Sequence, residues 1–222
     1  MTGALALAAA LAASYLAGSF PTSIVVGRLF FGKDIRKEGS GNAGGTNAFR
    51  VFGPAAGFAV VLVDVGKGAL ADLLLSRLGA PSGLPAEALA LLCGSAAVAG
   101  HVWTVFAGFH GGKGVATAAG ALFAAAPLPA AFAALAFALV LLSTGIVSLS
   151  SLAAALAFPA SLLAGLALGR PVSPLLLGFS LLLAPLIFYT HRSNLARLRR
   201  GEEKRFERLR VLGRLLDRFR RR

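Results

Sequence analysis

The stretch VATAAGALFAAAPLPAAFAALAFALVLL, residues 115–142, decides the fold because it carries no charge over a length sufficient to cross a membrane. As one helix it would be roughly 40 Å long at about 1.5 Å per residue, which is more than a ~30 Å hydrocarbon core requires. Pro127 and Pro129 interrupt it midway, and proline ends helices because it lacks an N–H donor. We therefore expect two short membrane helices here, forming a tilted or membrane-thinning hairpin.

The rest of the chain has the same apolar character. Hydrophobic residues make up 57% and charged residues 14% of the 222 residues, which leaves too little polar surface to cover a soluble globule. The formal charges between residues 51 and 190 are Asp64, Lys67, Asp72, Arg77, Glu87, Lys113 and Arg170. The composition therefore predicts an all-α polytopic membrane protein.

Apolar runs separated by glycine, proline or charge predict seven transmembrane helices. They lie near residues 3–30, 52–78, 85–106, 114–126, 129–143, 150–168 and 173–190. The loop with Arg36 and Arg50 and the tail after His191 are both basic, so both belong in the cytoplasm. Only an odd number of spans places both there, with the N-terminus outside and the C-terminus cytoplasmic. The loops after spans one, three, five and seven then share the cytoplasmic face.

The net charge of +13 is concentrated at the C-terminus, where residues 191–222 contain thirteen Arg or Lys and four Asp or Glu. A cytoplasmic tail beside anionic headgroups explains this distribution better than a nucleic-acid surface. Membrane lipid is therefore an expected partner, and nucleic acid is not. An apolar stripe among arginines predicts an interfacial helix. The stripe consists of Phe206, Leu209, Leu212, Leu216 and Phe219.

The first loop is rich in glycine and neutral hydrogen-bond donors. It reads Gly39-Ser40-Gly41-Asn42-Ala43-Gly44-Gly45-Thr46-Asn47 and is followed by Arg50. Its glycines allow successive N–H groups to point inward as a nest for an anion, and Arg50 can bind phosphate bidentately. The loop predicts a phosphate site, with a flexible connector as the alternative.

The second loop reads Gly108-Phe109-His110-Gly111-Gly112-Lys113-Gly114 and leads into a helix. It differs from a Walker A loop, because Ala107 stands in place of the first glycine and Gly114 in place of the magnesium-binding hydroxyl. A glycine turn with Lys113 at a helix start still favours an anion, because N–H groups and the helix dipole attract negative charge. A structural turn is the alternative.

Weaker signals come from isolated polar residues. Ser148 near the start of a membrane helix is by itself more typical of a helix cap than of a ligand. His191 and Asn194 are three residues apart and would face the same way on a helix continuing from span seven, although His191 alone is typical of the membrane interface. Asp64 and Lys67, also three apart, form either a functional pair or a structural ion pair within the membrane.

Cys93 is the sole cysteine, so the chain can form no intramolecular disulfide and no cysteine metal cluster. It stands among Ala and Leu, and we expect a small buried apolar side chain. No metal site and no cofactor is predicted.

These motifs, in this order, resemble the bacterial acyl-phosphate:glycerol-3-phosphate acyltransferase family up to about Phe206. The residues that carry the resemblance are Gly18-Ser19-Phe20-Pro21-Thr22, Gly39-Ser40-Gly41-Asn42, Thr46-Asn47, Arg50, Asp64, Lys67-Gly68, Gly100-His101, Gly111-Gly112-Lys113-Gly114-Val115-Ala116-Thr117, Val147-Ser148-Leu149, His191-Arg192 and Asn194. The resemblance implies an enzyme of phospholipid biosynthesis with a seven-helix fold. It would transfer a fatty acyl group from acyl phosphate to the 1-hydroxyl of glycerol 3-phosphate, giving lysophosphatidic acid and inorganic phosphate.

The resemblance also implies roles for individual residues. The expected catalytic residues, which would hold the glycerol phosphate and the reacting groups, are Ser40, Arg50, Lys113, His191 and Asn194. The residues expected to bind acyl phosphate are Gly41, Asn42, Thr46, Asn47, Gly111, Gly112 and Ser148. Residues 1–205 would form the membrane acyltransferase domain, and residues 206–222 a basic amphipathic extension.

The chemistry expected of such a site needs no covalent intermediate. No histidine is followed five residues later by aspartate, the dyad of acyltransferases that use thioesters. An acyl phosphate is already activated, so the protein has only to orient two phosphorylated reactants and neutralise charge. We expect direct attack by the hydroxyl, with its proton taken by the substrate phosphate or by His191.

The sequence also argues against two competing functions. A transporter of a phosphorylated metabolite requires polar residues on the opposite face, where the connections are short and nearly devoid of ionisable groups. A purely structural scaffold leaves the separate glycine and basic motifs without a purpose.

The departures from the family pattern are Gly45 where Ala is common, Thr104 where Pro is common, His110 where Lys is common, and Gly145-Ile146 where Arg-Tyr is common.

Removal of residues 207–222 tests the role of the basic tail. Because the residues assigned to the substrates lie upstream, the specific activity of the folded, truncated enzyme should stay within about twofold of wild type. A synthetic peptide of residues 206–222 should bind anionic vesicles and not neutral ones. Total loss of specific activity in a folded, truncated enzyme would contradict this assignment.

Overall fold

The computed structural model describes residues 2–220, and side chains up to residue 215. Over this range the protein is all-helical and contains no strand, which confirms the predicted class. The α-helices are α1 (Gly3–Ser19), α2 (Thr22–Phe31), α3 (Gly45–Val51), α4 (Pro54–Leu73), α5 (Ala86–Val102), α6 (Val115–Ala125), α7 (Pro127–Thr144), α8 (Val147–Ala167), α9 (Pro174–Thr190), α10 (Arg192–Arg199) and α11 (Val211–Arg220). Short 3-10 helices cover Ile35–Lys37, Leu75–Ser82, Val105–Ala107 and Glu207–Leu209.

Prolines decide where two of the membrane segments break. The expected break within residues 115–142 is present, since α6 ends at Ala125 and α7 begins at Pro127. The first expected span is two helices rather than one, because Pro21 has no N–H to continue the helical ladder. The N–H of Phe20 instead turns back to the carbonyl of Ala17 at 3.3 Å.

Several helices are long and apolar enough to cross a membrane. In the described chain they are Gly3–Phe31, Ala86–Ala107, Pro127–Thr144 and Val147–Ala167, and the pair α9 and α10, bent by 62°, adds a fifth candidate. Large apolar side chains point outward, as at Leu168 and Leu182, which are 77% and 76% exposed. The molecule is therefore a multi-pass membrane protein, while seven crossings and the sides of the termini stay predictions.

The chain divides into two compact units, Met1–Pro127 and Leu128–Arg222. In the first unit, α1 packs on α5 with backbone against backbone. A Cβ at Gly18 would collide with the backbone of Ala97, and one at Gly100 would collide with the carbonyl of Tyr15. Small residues permit such close approach between membrane helices, where dispersion contacts replace the hydrophobic effect as the source of association.

Helices α4 and α6 approach each other in the same way. A Cβ at Gly68 of α4 would collide with the carbonyl of Thr117, and a Cβ at Gly120 of α6 would collide with the carbonyl of Val65. This reciprocal contact fixes the first two turns of α6 against α4. The second glycine-rich loop, which leads into α6, is thereby held near the charged residues of α4.

Cys93 lies in the core of the first unit, as expected of a small apolar side chain. It is fully buried and packs with Ala10, Ala71 and Ala97. The alanines and the thiol form a cluster between helices that approach closely. The expectation of a buried, unpaired cysteine is confirmed.

In the second unit, α8 packs on α9, and the C-terminal segment returns to the loop between α7 and α8. The N–H of Phe206 donates to the carbonyl of Gly145 at 2.7 Å, and Gly213 lies against the carbonyl of Ser143. Leu209 and Leu212 of the expected apolar stripe are 42% and 36% exposed. The stripe's last members lie outside the described side chains. They are Leu216 and Phe219.

Gly68→Ala tests the close contact between α4 and α6, with Gly66→Ala as its control. A Cβ at Gly68 would collide with backbone, whereas a Cβ at Gly66 meets nothing within 4 Å. We expect Gly68→Ala to lower the unfolding free energy by about 1–3 kcal/mol, and Gly66→Ala to leave it unchanged or slightly higher. Thermal unfolding of both variants in detergent measures the difference; equal stability would argue against this packing.

Candidate active site

The first glycine-rich loop is held by hydrogen bonds to the buried side chain of Asn47, which is 1% exposed. Its Oδ1 accepts the N–H of Ser40 at 2.9 Å, and its Nδ2 donates to the carbonyls of Ile35 at 3.2 Å and Glu38 at 2.9 Å. Both amide donors are therefore used within the loop. The structure gives Asn47, which the family resemblance assigned to the substrate, the role of an internal support.

The other residues of the first loop that were assigned to the substrates are less buried than Asn47. Ser40 and Gly41 are exposed, whereas Asn42, Thr46 and Arg50 are half-buried. The loop whose shape is fixed by Asn47 thus carries hydroxyl, amide and guanidinium groups that are at least partly exposed. This is a suitable arrangement for holding an anion without reorganisation.

An ionic cluster joins the first loop to the second. Asp34 pairs with Arg36 at 2.7 Å and with Arg28 at 2.9 Å, and Nη1 of Arg36 donates to the carbonyl of Ala107 at 3.2 Å. The hydrogen bonds from Arg36 hold the pKa of the Asp34 carboxyl well below its usual range, despite the desolvation that opposes them. Arg36, expected to mark the cytoplasmic side by its charge, thus also connects the two loops.

The second loop is closed by hydrogen bonds to the end of α5. The N–H groups of Gly111 and Gly112 donate to the carbonyls of Val102 at 3.1 Å and His101 at 3.0 Å. These two donors are therefore engaged in the protein, although the resemblance placed both glycines at the acyl phosphate. Lys113 follows them, half-buried, immediately before α6.

The two glycine-rich loops touch each other. A Cβ at Gly112 would lie 2.9 Å from the carbonyl oxygen of Ala43. Glycine is required at position 112 because no side chain fits between the loops. The fold therefore brings together two motifs that are separated by more than sixty residues in the sequence.

Beneath the loops lies a buried ionic cluster centred on Asp64. Its Oδ1 accepts from Nζ of Lys67 and Oγ1 of Thr22, both at 2.9 Å, and lies 3.6 Å from Nδ1 of His101. Lys67 also donates to the carbonyl of Phe20 at 3.2 Å, at the break between α1 and α2. Asp64 and Lys67 thus form an ion pair, which both interpretations of these residues allow. It holds the broken first span in place.

The sequence patterns gave His101 no role at the site, although Gly100-His101 is one of the motifs that carry the family resemblance. His101 is 7% exposed and lies on α5 between Asp64 and Gly112. Because charges inside a membrane are usually paired, Asp64 was expected to have a partner. The sequence does not identify His101 as that partner, because the spacing between α4 and α5 cannot be read from the chain.

In the second unit, Glu203 collects three side chains. Its carboxylate accepts from Asn194 at 2.6 Å, from Arg197 at 2.7 Å and from Ser148 at 2.9 Å. Burial alone raises the pKa of Glu203, but the three hydrogen bonds outweigh it and hold the pKa below its usual value. Ser148 and Asn194, both expected at the substrates, are thus brought together by a residue to which the sequence assigned no role.

His191 lies at the bend between α9 and α10. The helix does not continue straight from α9, as the spacing of His191 and Asn194 supposed, but turns by 62°. The imidazole is 3% exposed, and its Nδ1 lies 2.8 Å from the carbonyl oxygen of Ile187. Because a carbonyl only accepts, Nδ1 carries the proton in the neutral ring, and Nε2 is the basic nitrogen.

Four positions that depart from the family pattern have local roles. Thr104 is buried and donates to the carbonyl of Ser19. Nδ1 of His110 lies 2.6 Å from the carbonyl of Gly108, within the turn. Gly145 has a φ of 72°, which favours glycine, and Gly45 leaves space for the methyl of Val61. These changes are accommodated within the backbone of the loops.

Among the described residues, no cluster of three or more His, Cys, Asp or Glu side chains could hold a metal ion. Arg50 and Lys113 are the cations of the two glycine-rich motifs.

Comparison with known proteins identifies the class. Residues 8–201 match the family model described as glycerol-3-phosphate acyltransferase, so the fold and its loops define a membrane-bound acyltransferase of phospholipid synthesis. The chain belongs to the glycerol-3-phosphate acyltransferase family. A glycerol-3-phosphate acyltransferase from Chlorobium phaeobacteroides (strain BS1) is 42% identical over 221 residues, covering 88% of this chain and 94% of the relative.

Two solved structures of the integral membrane glycerol 3-phosphate acyltransferase PlsY share the fold. The glycerol 3-phosphate form has a TM-score of 0.79 and 36% identity, and the lysophosphatidic acid form has a TM-score of 0.75 and 35% identity. Each alignment covers 91% of this chain and 96% of the solved one. The resemblance identified in the sequence is therefore confirmed.

Glu203→Gln tests the three-donor cluster, with Glu202→Gln as a matched control. Glu203 is buried, whereas Glu202 is exposed in its pair with Arg200. Loss of the buried charge should lower the unfolding free energy by about 1–3 kcal/mol, and loss of the exposed one by less than about 1 kcal/mol. Thermal unfolding in detergent measures both; equal effects would contradict the assignment.

The stability difference between wild type and Glu203→Gln should depend on pH. Because the folded-state pKa of Glu203 is lowered, its stabilisation is fully present above the unfolded-state pKa of about 4.3 and is lost as the pH falls through the folded-state pKa. The stability difference between wild type and Glu203→Gln should therefore shrink below about pH 4. A difference that grew on acidification would contradict the lowered pKa.

Proposed function

We propose that this protein transfers a fatty acyl group from acyl phosphate to the 1-hydroxyl of glycerol 3-phosphate, giving lysophosphatidic acid and inorganic phosphate. The observation that carries the proposal is the contact between the two glycine-rich loops at Gly112 and Ala43. Both substrates carry phosphate, and each loop has its own cation. Two adjacent anion sites are what a reaction between two phosphorylated molecules requires.

In the first unit, exposed and half-buried residues of the loops bind the phosphates. Ser40, Arg50 and Lys113 hold the glycerol phosphate, because hydroxyl, guanidinium and ammonium groups all donate to phosphate oxygens. Gly41, Asn42 and Thr46 surround the acyl phosphate. Asn47, Gly111 and Gly112 contribute indirectly, since their donors are used to shape the loops.

In the second unit, His191 and Asn194 are assigned to the reacting hydroxyl, and Ser148 is assigned to acyl phosphate binding. Glu203 fixes Ser148 and Asn194 through its carboxylate. The hydrogen bond of Nδ1 to Ile187 leaves Nε2 of His191 as the ring's proton acceptor. A histidine in this tautomer is suited to general base catalysis.

The reaction is a direct displacement at the acyl carbon. The 1-hydroxyl oxygen bonds to the acyl carbon while the bond from that carbon to the phosphate oxygen breaks. The hydroxyl proton passes to the substrate phosphate or to Nε2 of His191, and inorganic phosphate leaves. Lys113 and Arg50 stabilise the charge that develops on the departing phosphate.

The reaction takes place at the cytoplasmic membrane surface in this proposal. Seven crossings place the N-terminus outside, and the four loops that hold the assigned residues in the cytoplasm, where soluble glycerol 3-phosphate is available. Residues 1–205 carry the activity. The basic segment 206–222 lies on the anionic lipid surface.

The test is phosphate release by detergent-purified protein given acyl phosphate and glycerol 3-phosphate. Lys113→Ala and Arg50→Ala should each lower kcat/KM by at least about 100-fold, because they remove cations from developing phosphate charge. Lys37→Ala serves as the control, since this exposed lysine borders the first loop without an assigned role. It should retain wild-type turnover.

Several outcomes would contradict the proposal. Wild-type turnover in Lys113→Ala or Arg50→Ala would overturn the phosphate assignment. Acyl transfer from acyl-CoA, with none from acyl phosphate, would overturn the donor but keep the acceptor. Absence of transfer from both donors would favour transport of a phosphorylated metabolite.

A further inference from the structure

His101 occupies a position between the buried ionic cluster and the second glycine-rich loop. We propose that His101 is a positioning residue, which transmits the anchoring of Asp64 to Gly112 and so fixes the loop that precedes Lys113. The inference rests on the proposed function, because it concerns the loop before Lys113, a residue that this function assigns to the glycerol phosphate.

One edge of the imidazole is directed at an anchored carboxylate. Nδ1 lies 3.6 Å from Oδ1 of Asp64, and the two side chains are 6% and 3% exposed. Asp64 is itself held by Lys67 and Thr22, at 2.9 Å each. A carboxylate with several donors in a membrane interior does not move freely, because each lost partner leaves buried charge uncompensated.

The other edge of the imidazole is directed at the loop. Nε2 lies where a Cβ of Gly112 would be, and the carbonyl of Ala43 closes the same space from the first loop. The backbone of His101 contributes as well, since its carbonyl accepts the N–H of Gly112 at 3.0 Å. Gly112 is therefore confined by both the ring and the backbone of one residue.

This confinement determines the placement of Lys113. Lys113 follows Gly112 directly, so a shift of the loop would displace the cation that the proposed function places at the glycerol phosphate and would weaken binding of that substrate. The ring is suited to this position because its two nitrogens lie on separate edges. Asparagine reproduces the position of Nδ1, and glutamine reproduces that of Nε2.

The experiment compares His101→Ala, His101→Asn and His101→Gln in the detergent-purified full chain. Two readouts are used: steady-state kinetics with acyl phosphate and glycerol 3-phosphate, and amide hydrogen exchange of residues 108–114. Leu89→Ala is the control for lost packing, because Leu89 is a buried residue at the other end of α5.

We expect His101→Ala to raise KM for glycerol 3-phosphate by at least about tenfold with kcat changed less than about threefold. Exchange of residues 108–114 should rise by about tenfold or more. His101→Gln should restore both values towards wild type, because it keeps the contact to Gly112. His101→Asn should not, and Leu89→Ala should lower thermal stability without changing KM.

Three results would overturn the positioning role. They are unchanged KM and exchange in His101→Ala, an equal rise of KM in Leu89→Ala, and loss of kcat at unchanged KM. The exchange readout needs no turnover, so it separates this inference from the proposed function. If the wild type does not use acyl phosphate, the donor assignment fails, whereas exchange at residues 108–114 still decides the role of His101.

Discussion

A carboxylate inside a membrane helix is the constraint on which the first unit depends. Asp64 is 2% exposed, and leaving such a charge unpaired in a low-dielectric interior costs several kcal/mol, on the order of 3–5 for a broken buried pair. Thr22 of α2 and Lys67 of α4 donate to it, and Nδ1 of His101 on α5 lies 3.6 Å from it. Pairing this one charge therefore fixes the relative position of those helices.

The second requirement is that backbones of neighbouring helices and loops approach closely. This requirement accounts for glycines that the sequence alone suggests are part of a phosphate nest. Gly68 and Gly120 allow α4 and α6 to touch, and Gly111 and Gly112 lie against carbonyls of α5 and the first loop. Their N–H groups or Cα atoms are used for packing. A glycine-rich motif can therefore serve an anion site by shaping it, while the donors that face the anion belong to neighbouring residues.

In both units, buried polar side chains hold other residues that are assigned to the site. Asn47 holds the loop that presents Ser40, and Glu203 holds Ser148 and Asn194. Electrostatic catalysis depends on donors that do not reorganise when charge develops, so the supports matter as much as the groups that meet the substrate.

The sequence by itself determined the class and the motifs. Low charge and long apolar runs required a lipid solvent, proline required the break between α6 and α7, and ordered glycine and basic motifs identified the family. Tertiary structure decided which polar residues hold the loops in place and which are left exposed on them. Asn47 turned inward, His101 joined Asp64 to Gly112, and Glu203 gathered its three donors. Residue type and spacing along the chain do not record these relations, because each joins side chains across helices whose separation is set only by packing.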